Sequence, residues 1–216
     1  HEFRTPLAVI LAESYLMAAL ENADKRRAKS ESIQQQVRRM TRLVDSLLLM
    51  TQHESGAPLE SKPVNPGWVL AVVCSSLETI YGNTPALTLE APPHLPPISG
   101  DFDALVAALT QILDNAYRYT PRSGHIHVSA GVLGSCLSIS VQDTGPGIAA
   151  EDLPRAFEAF WRRDVMHSTP GFGLGLPIAQ RIITRHGGSL HIESQAGQGT
   201  TVRMQLPTSE ESKAGA

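Results

Sequence analysis

Four short stretches of the chain combine residue types and spacings that could do chemistry. DTGPGI, residues 143–148, follows directly on a strand-like run, and GFGLGL, residues 171–176, leads into a helix-like one. Glycines at alternate positions open backbone torsions denied to other residues and let a ligand approach the main chain. A glycine-rich turn that feeds a helix start also offers unpaired N–H groups and a favourable dipole to phosphate. Neither segment is a known fingerprint by itself. The third glycine of GFGLGL comes one residue early for G-x-G-x-x-G, and no Gly-Lys-Ser/Thr follows as a P-loop requires. Each alone is equally a tight turn. The third stretch is helical, residues 101–118. Leu105, Leu109, Ile112 and Ala116 step by 4, 3 and 4 and should face a sheet. Gln111, Asn115 and Arg118 step by 4 and 3 on an adjacent face. An amide oxygen there can hold a hard cation and a guanidinium can grip phosphate. Tyr119 adds an aromatic plate; the alternative is an ordinary solvated face. The fourth stretch is HEFRTP, residues 1–6, a histidine with a carboxylate beside it. As a local sequence it fits a nucleophile, a cap or an accident of the chain start.

The elements that must position these residues fall into two regions. From His1 to about His53 there is no glycine and one proline, Pro6, so the stretch can be almost wholly helical. ENADKRR, residues 21–27, is its one polar break. Ile33, Val37, Met40, Val44 and Leu47 then step by 4, 3, 4 and 3, a heptad-like seam. Phe3, Leu7, Ile10 and Met17 follow the same period, with Leu11, Leu16 and Leu20 widening the stripe. Two such helices make an antiparallel hairpin whose seam is buried when two copies form a four-helix bundle. The alternative is that the hairpin packs on the rest of its own chain.

SGAPLESKP, residues 55–63, reads as a linker. Beyond it the pattern predicts a helix over 66–80, a strand over 86–90, no regular structure in APPHLPPISGD, and a helix over 101–118 capped by Asp101 or Gly100. HIHVSAGV and CLSISVQD alternate as two strands joined by a turn at 131–135. A helix over 150–162, a loop over 163–174, a helix over 175–186 and a hairpin of SLHIES with TTVRMQL complete the order; TSEESKAGA reads as a disordered tail. Helices and strands are segregated, so the fold class is α+β, with a helix layer on one face of a mixed sheet.

Composition narrows the function classes. With 42% hydrophobic and 18% charged residues in 216, the chain is an ordinary globular protein of one large or two small domains. A net charge of −3 gives no electrostatic case for nucleic acid or an anionic membrane surface. Cys74 and Cys136 form no metal set or disulfide framework and read as small buried hydrophobes in a reducing compartment. No run approaches the ~18 apolar residues of a membrane span. No signal peptide is evident, and the abrupt start leaves open what precedes His1.

In this order the motifs resemble those of a bacterial sensor histidine kinase, over about residues 1–207. HEFRTP looks like the phosphoacceptor box and QILDNAYRYTP like the asparagine box. DTGPGI and GFGLGL look like the two glycine boxes, and FEAFWRRD, residues 157–164, like the phenylalanine-containing box between them. The resemblance implies a dimeric, phosphotransferring helical hairpin over 1–56. It also implies a catalytic ATP-binding domain over 63–207, a two-layer α/β sandwich of the type shared with the Hsp90 and gyrase ATPases.

It further implies roles. His1 attacks the γ-phosphorus of ATP through a neutral ring nitrogen, as an imidazole with pKa near 6.5 can. Glu2 orients or accepts the other ring proton. Thr5, in the E-x-x-T spacing, positions water for hydrolysis of a regulator's aspartyl phosphate. Asn115 ligates Mg²⁺, which needs only one or two protein ligands. Asp143 accepts from the adenine amino group, with Gly145 and Gly147 against the base and Tyr119 bordering base or ribose. Arg118 lies near the phosphates, and Gly171, Gly173 and Gly175 let a lid fold over them. The implied partners are a second copy of the chain and the receiver domain of a response regulator, with neither nucleic acid nor direct membrane contact. The implied location is the cytoplasmic side, the full-length protein being anchored in the inner membrane. HEFRTP at the chain start then reads as a fragment cut at its nucleophile. Gln111 departs from the asparagine more usual there, so it is left out of the metal set. The competing readings are a related ATPase or serine kinase, and a dimeric scaffold or pseudokinase that binds a regulator.

Overall fold

The computed structural model describes residues 3–54, 59–162 and 171–209. The chain divides into two compact units, His1–Ser55 and Gly56–Ala216. In the first, α1 (Arg4–Ala19) and α2 (Ala23–Glu54) form a hairpin. The break falls at the start of ENADKRR and is shorter than that run, at residues 20–22. Asn22 accepts the Lys25 N–H at 3.0 Å and caps α2, which resumes at Ala23. Glu13 and Lys29 pair across the hairpin at 2.7 Å. Within the chain Leu43 is buried, 1% exposed, and Ile33, Met40 and Leu47 of the expected seam are half-buried, whereas Val37 and Val44 stay exposed together with Leu7, Leu11, Leu16 and Leu48.

The second unit is a two-layer structure. Its elements are β1 (Lys62–Val64), α3 (Pro66–Tyr81), β2 (Ala86–Glu90), β3 (Ile98–Gly100), α4 (Phe102–Tyr119), β4 (His125–Leu133), β5 (Cys136–Asp143), α5 (Gly175–Arg185), β6 (Ser189–Gln195) and β7 (Gly199–Pro207). A five-stranded sheet runs β2-β4-β5-β7-β6, with β2 parallel to β4 and the other neighbours antiparallel. Strict alternation puts Ile126 and Val128 of β4, Leu137, Ile139 and Val141 of β5, and Val202, Met204 and Leu206 of β7 on one buried face. That face meets Leu105, Leu109 and Ile112 of α4 and Ile178, Ile182 and Ile183 of α5; α3 packs on α4 through its Val69, Val73 and Leu77 side. Cys74 belongs to this core, and burial, with Glu78 nearby, pushes its thiol up to about 11, so it is inert packing.

Four expectations are corrected. The supposed linker and the proline-rich stretch each supply a short strand, β1 and β3, which pair antiparallel as a separate two-stranded sheet. Helix 150–162 reduces to one 3-10 turn, Leu153–Arg155. The chain cannot run on as a helix because Phe160 takes φ 65 and its N–H bonds the Gly173 carbonyl at 2.9 Å. The tail is ordered at its start: Thr208 is buried, bridges to Ile98 and donates its hydroxyl to the Ser135 carbonyl at 2.9 Å. Residues 210–216 and 163–170 lie outside the described residues. Among the described residues no helix is long and apolar enough to cross a membrane.

His186 ends α5 and fastens it to α4. Its Nδ1–H donates to the Ile182 carbonyl at 2.7 Å, so the free Nε2 lone pair accepts the Asp101 N–H at 3.0 Å. Asp101 in turn caps α4 through Ala104 N–H at 3.1 Å. Burial, partly offset by the Ile182 carbonyl and Asp101, holds the imidazole below its ordinary 6.5. The folded chain therefore resists a proton that the unfolded chain takes up. Stability is full above pH 6.5 and is lost as pH falls below it toward the folded-state pKa. His186→Ala should cost about 1–3 kcal/mol at pH 7.5, because it orphans the Asp101 N–H. Its thermal midpoint should fall less steeply than that of the natural chain between pH 7.5 and about 5.5, as read by circular dichroism.

Candidate functional site

Asp143 is where the sheet's covered face changes character. Moving toward that end of the sheet, the cross-strand rows read Ile139–Met204–Leu190, then Val141–Val202–Ile192, then Asp143–Thr200–Ser194. A carboxylate thus takes a core position, 8% exposed. Burial pushes its pKa up, and the N–H groups of Gly145 and Thr200 act against that shift. The Gly145 N–H reaches Oδ1 at 2.8 Å. The carboxylate keeps further lone pairs for a ligand donor.

The turn after Asp143 is held from two sides. A side chain on Gly145 would stand 2.8 Å from Asp143 Oδ1 and 2.9 Å from the Tyr119 carbonyl oxygen. Tyr119 itself, at the end of α4, is exposed beside this turn. On the other side the turn packs on the β6–β7 connection: Gly197 N–H bonds the Pro146 carbonyl at 2.7 Å, and Ile148 N–H bonds Ser194 Oγ at 2.8 Å. Gly147 has φ +67, and a Cβ there would run into the Gln195 carbonyl. Its glycine is required by the protein's own backbone.

The asparagine-bearing face of α4 meets the start of α5. A Cβ on Gly175 would lie 3.2 Å from Asn115 Nδ2, 3.4 Å from Asn115 Oδ1 and 3.2 Å from Gln111 Oε1. Both amides therefore converge on the helix start that GFGLGL leads into. Its N-cap residue, Leu174, makes no side-chain cap, and the first N–H groups of a helix have no intrahelical partner, which suits an anion. A hard cation and a phosphate fit this set of amide oxygens and backbone donors.

Arg118 sits differently. Its Nε donates to Asp114 Oδ2 at 2.6 Å, with the two side chains 13% and 22% exposed. Asp114 Oδ1 also takes the Tyr81 hydroxyl of α3 at 2.5 Å, and Tyr81 stacks on Tyr117 with centroids 4.7 Å apart. The guanidinium is thus engaged on the flank of α4 that packs on α3.

Of the second glycine segment, Phe172 and Leu174 are buried anchors. Gly173, at φ +68, leaves no room for a Cβ against Trp161 and Phe160; Gly171 has open space around it. Trp161 is capped by Arg155, 5.4 Å from its ring centroid, which spans to Glu158 at 3.1 Å. Thr5 is exposed in the first turn of α1, where Pro6 costs no helical hydrogen bond. His1, Glu2 and His167 lie outside the described residues.

The structure adds three residues to the sequence-derived set: Gln111, which shares the approach to Gly175, and Thr200 and Ser194, which share the row of Asp143. The alternation of β6 and β7 could have given the last two, once their register with β5 was known.

Comparison with known proteins gives the family. Residues 100–210 match the family "Histidine kinase-, DNA gyrase B-, and HSP90-like ATPase", and residues 1–56 match "His Kinase A (phospho-acceptor) domain". The chain is 32% identical over 210 residues to the sensor histidine kinase YkoH of Bacillus subtilis, covering 95% of this chain and 45% of YkoH. Among solved structures, full-length ShkA in complex with AMPPNP is 28% identical with TM-score 0.70, covering 96% of this chain and 44% of ShkA. Histidine kinase ThkA in complex with response regulator protein TrrA has the same fold at TM-score 0.80 and 20% identity, covering 98% of this chain and 60% of that one. The chain belongs to the sensor histidine kinase family, and it spans between about a quarter and just over half the length of the curated relatives it matches.

Gly147→Ala should lower the unfolding free energy by about 1–3 kcal/mol from its torsion alone, with more from the Gln195 clash. Gly131→Ala in β4, where a Cβ meets nothing within 4 Å and the torsion is an ordinary one, should change it by less than about 1 kcal/mol. Urea unfolding of the two variants side by side checks the difference.

Proposed function

We propose that this chain is the kinase core of a two-component sensor: it autophosphorylates on His1 with Mg-ATP and passes the phosphoryl group to an aspartate of a response regulator. The observation that carries this reading is the convergence, at one end of the second unit, of a buried acceptor, Asp143, and an amide-lined helix start, Asn115 with Gly175. These suit the two ends of an adenine nucleotide. The complexes of ShkA with AMPPNP and of ThkA with TrrA concern those proteins, and support the same reading for this one.

The residues divide the work by their chemistry. Asp143 accepts from the exocyclic amine of adenine, with Gly145, Gly147 and Tyr119 bordering the base. Asn115 holds Mg²⁺ through its amide oxygen, and Gln111 lies beside it. When bound, Mg²⁺ neutralises charge on the phosphates. The open N–H groups of α5 face the transferring end, and Gly171, Gly173 and Gly175 shape the segment that covers it. His1 supplies a ring nitrogen as nucleophile, Glu2 holds the other ring proton, and the bond from γ-phosphorus to the leaving ADP oxygen breaks as the N–P bond forms. Thr5 orients water when the same hairpin dephosphorylates the regulator. Arg118 acts on the phosphates only by leaving or sharing Asp114. Residues 1–56 are read as the dimerisation and phosphotransfer domain and 63–207 as the catalytic domain, in a whole protein anchored at the inner membrane.

Radiolabelled Mg-ATP should label the longest natural chain that carries this sequence. The label should be lost in acid, stable in alkali and absent from His1→Gln. Label that survives acid and persists in the variant would overturn the reading in favour of a serine kinase. Dimerisation is tested separately. The exposed stripe of Leu7, Leu11, Val37, Val44 and Leu48 is the surface a second copy would cover. Leu11→Asp with Leu48→Asp should weaken the dimer by more than about a hundredfold in sedimentation equilibrium, since each buried leucine stabilises by ~1.5–3 kcal/mol and both protomers lose two.

A further inference from the structure

We infer that Ser194 is a positioning residue that sets the choice of purine, a role that rests on the adenine reading of Asp143. Ser194, Thr200 and Asp143 are consecutive cross-strand partners on β6, β7 and β5, so their side chains share the covered face of the sheet. The next row inward is entirely apolar, Ile192–Val202–Val141. Polarity is therefore confined to the row that ends at the candidate base site.

The proton count of Ser194 is complete. Its hydroxyl donates to the Gly199 carbonyl at 2.7 Å. That uses its one proton, so its two lone pairs accept: one from Ile148 N–H at 2.8 Å, the other from the Thr200 hydroxyl at 2.9 Å. Thr200 has then spent its own proton on Ser194, and its Oγ1 is left as an acceptor only. Asp143, its neighbour in the row, is an acceptor as well. Two acceptors side by side suit a ligand group with two hydrogens, the 6-amino group of adenine or a water that serves it. They repel a 6-oxo group. A serine with no ligand contact thus fixes the polarity of a threonine that faces one, while the same hydroxyl ties the Gly145–Ile148 turn to the β6–β7 connection. Removing it frees the Thr200 hydroxyl to rotate and donate.

The test compares ATP with inosine triphosphate, which differs from ATP in a 6-oxo group and an N1 hydrogen. Both are titrated against a fluorescent adenine nucleotide on the folded chain. The natural chain should prefer ATP. Ser194→Ala should weaken ATP and leave inosine triphosphate unchanged or tighter, lowering the preference by on the order of tenfold. Ser194→Thr, which keeps the hydroxyl, should restore it. Should Ser194→Ala fail to fold, Ser194→Cys, a weak donor and acceptor of similar size, carries the same expectation. Equal weakening of both triphosphates would mean a purely structural serine and overturn the inference alone. A natural chain that binds neither would overturn the adenine reading, and this inference with it.

Discussion

A carboxylate buried at the end of a hydrophobic strand is costly, and much of the second unit is arranged around that cost. Asp143 continues the inward face of Leu137, Ile139 and Val141, so alternation alone forces it into the core. Burial works against its charge, and the Gly145 and Thr200 N–H groups work for it. Those donors exist only because the chain turns sharply at DTGPGI and because β7 holds its register with β5. The turn in turn depends on β6 and its connection to β7, through Ser194 and Gly197. Three strands that are far apart in sequence are thereby committed to one carboxylate. A group kept this dry retains strong attraction for a ligand donor, since water does not compete for it.

The helix layer does a parallel service at the other end of the site. Helix α4 has three duties on three faces. Leu105, Leu109 and Ile112 bury it on the sheet, Gln111 and Asn115 turn to α5, and Asp114 with Arg118 turns to α3. The Tyr81–Asp114–Arg118 set fixes the helix's rotation about its axis, and that rotation aims the amides. At its other end His186 joins the start of α4 to the end of α5. The two helices that frame the candidate phosphate region are thus joined where they are farthest from it.

Much of this was legible in the residues. The strong alternation of β4 and β5, the cap at Asp101, and the end of α5 before Gly187 each carry a local physical cause, and the elements stand where those causes put them. What was not legible is what depends on a partner. β1 and β3 have three residues each and no pattern of their own; each is a strand because the other is there. The expected helix at 150–162 is broken by Phe160, whose left-handed torsion answers a carbonyl from Gly173. The hairpin seam divides within one chain: Ile33, Met40 and Leu47 are half-buried beside the buried Leu43, while Val37 and Val44 stay exposed. A periodic stripe says that a face is apolar, not which neighbour covers it. Ser194 and Thr200 fell outside the reading for the same reason, since only register joins them to Asp143.

The glycines and Gln111 change the weight of motif arguments. Gly147 and Gly173 are positions where a side chain would strike the protein's own main chain, at Gln195 and at Trp161. Their presence therefore testifies first to a packed fold and only through that fold to a ligand. Gln111 works the other way. A longer arm in place of asparagine reads as a departure, and with it came the case for a binding scaffold. Yet Gln111 lies one helical turn before Asn115 on the same face of α4, and its amide still reaches the same place: both amides come within 3.4 Å of the same point beside Gly175. The substitution keeps an amide oxygen at the helix start. Whatever cation or phosphate that start receives meets two amides there, and the residue that most weakened the kinase reading on sequence supports it in the fold.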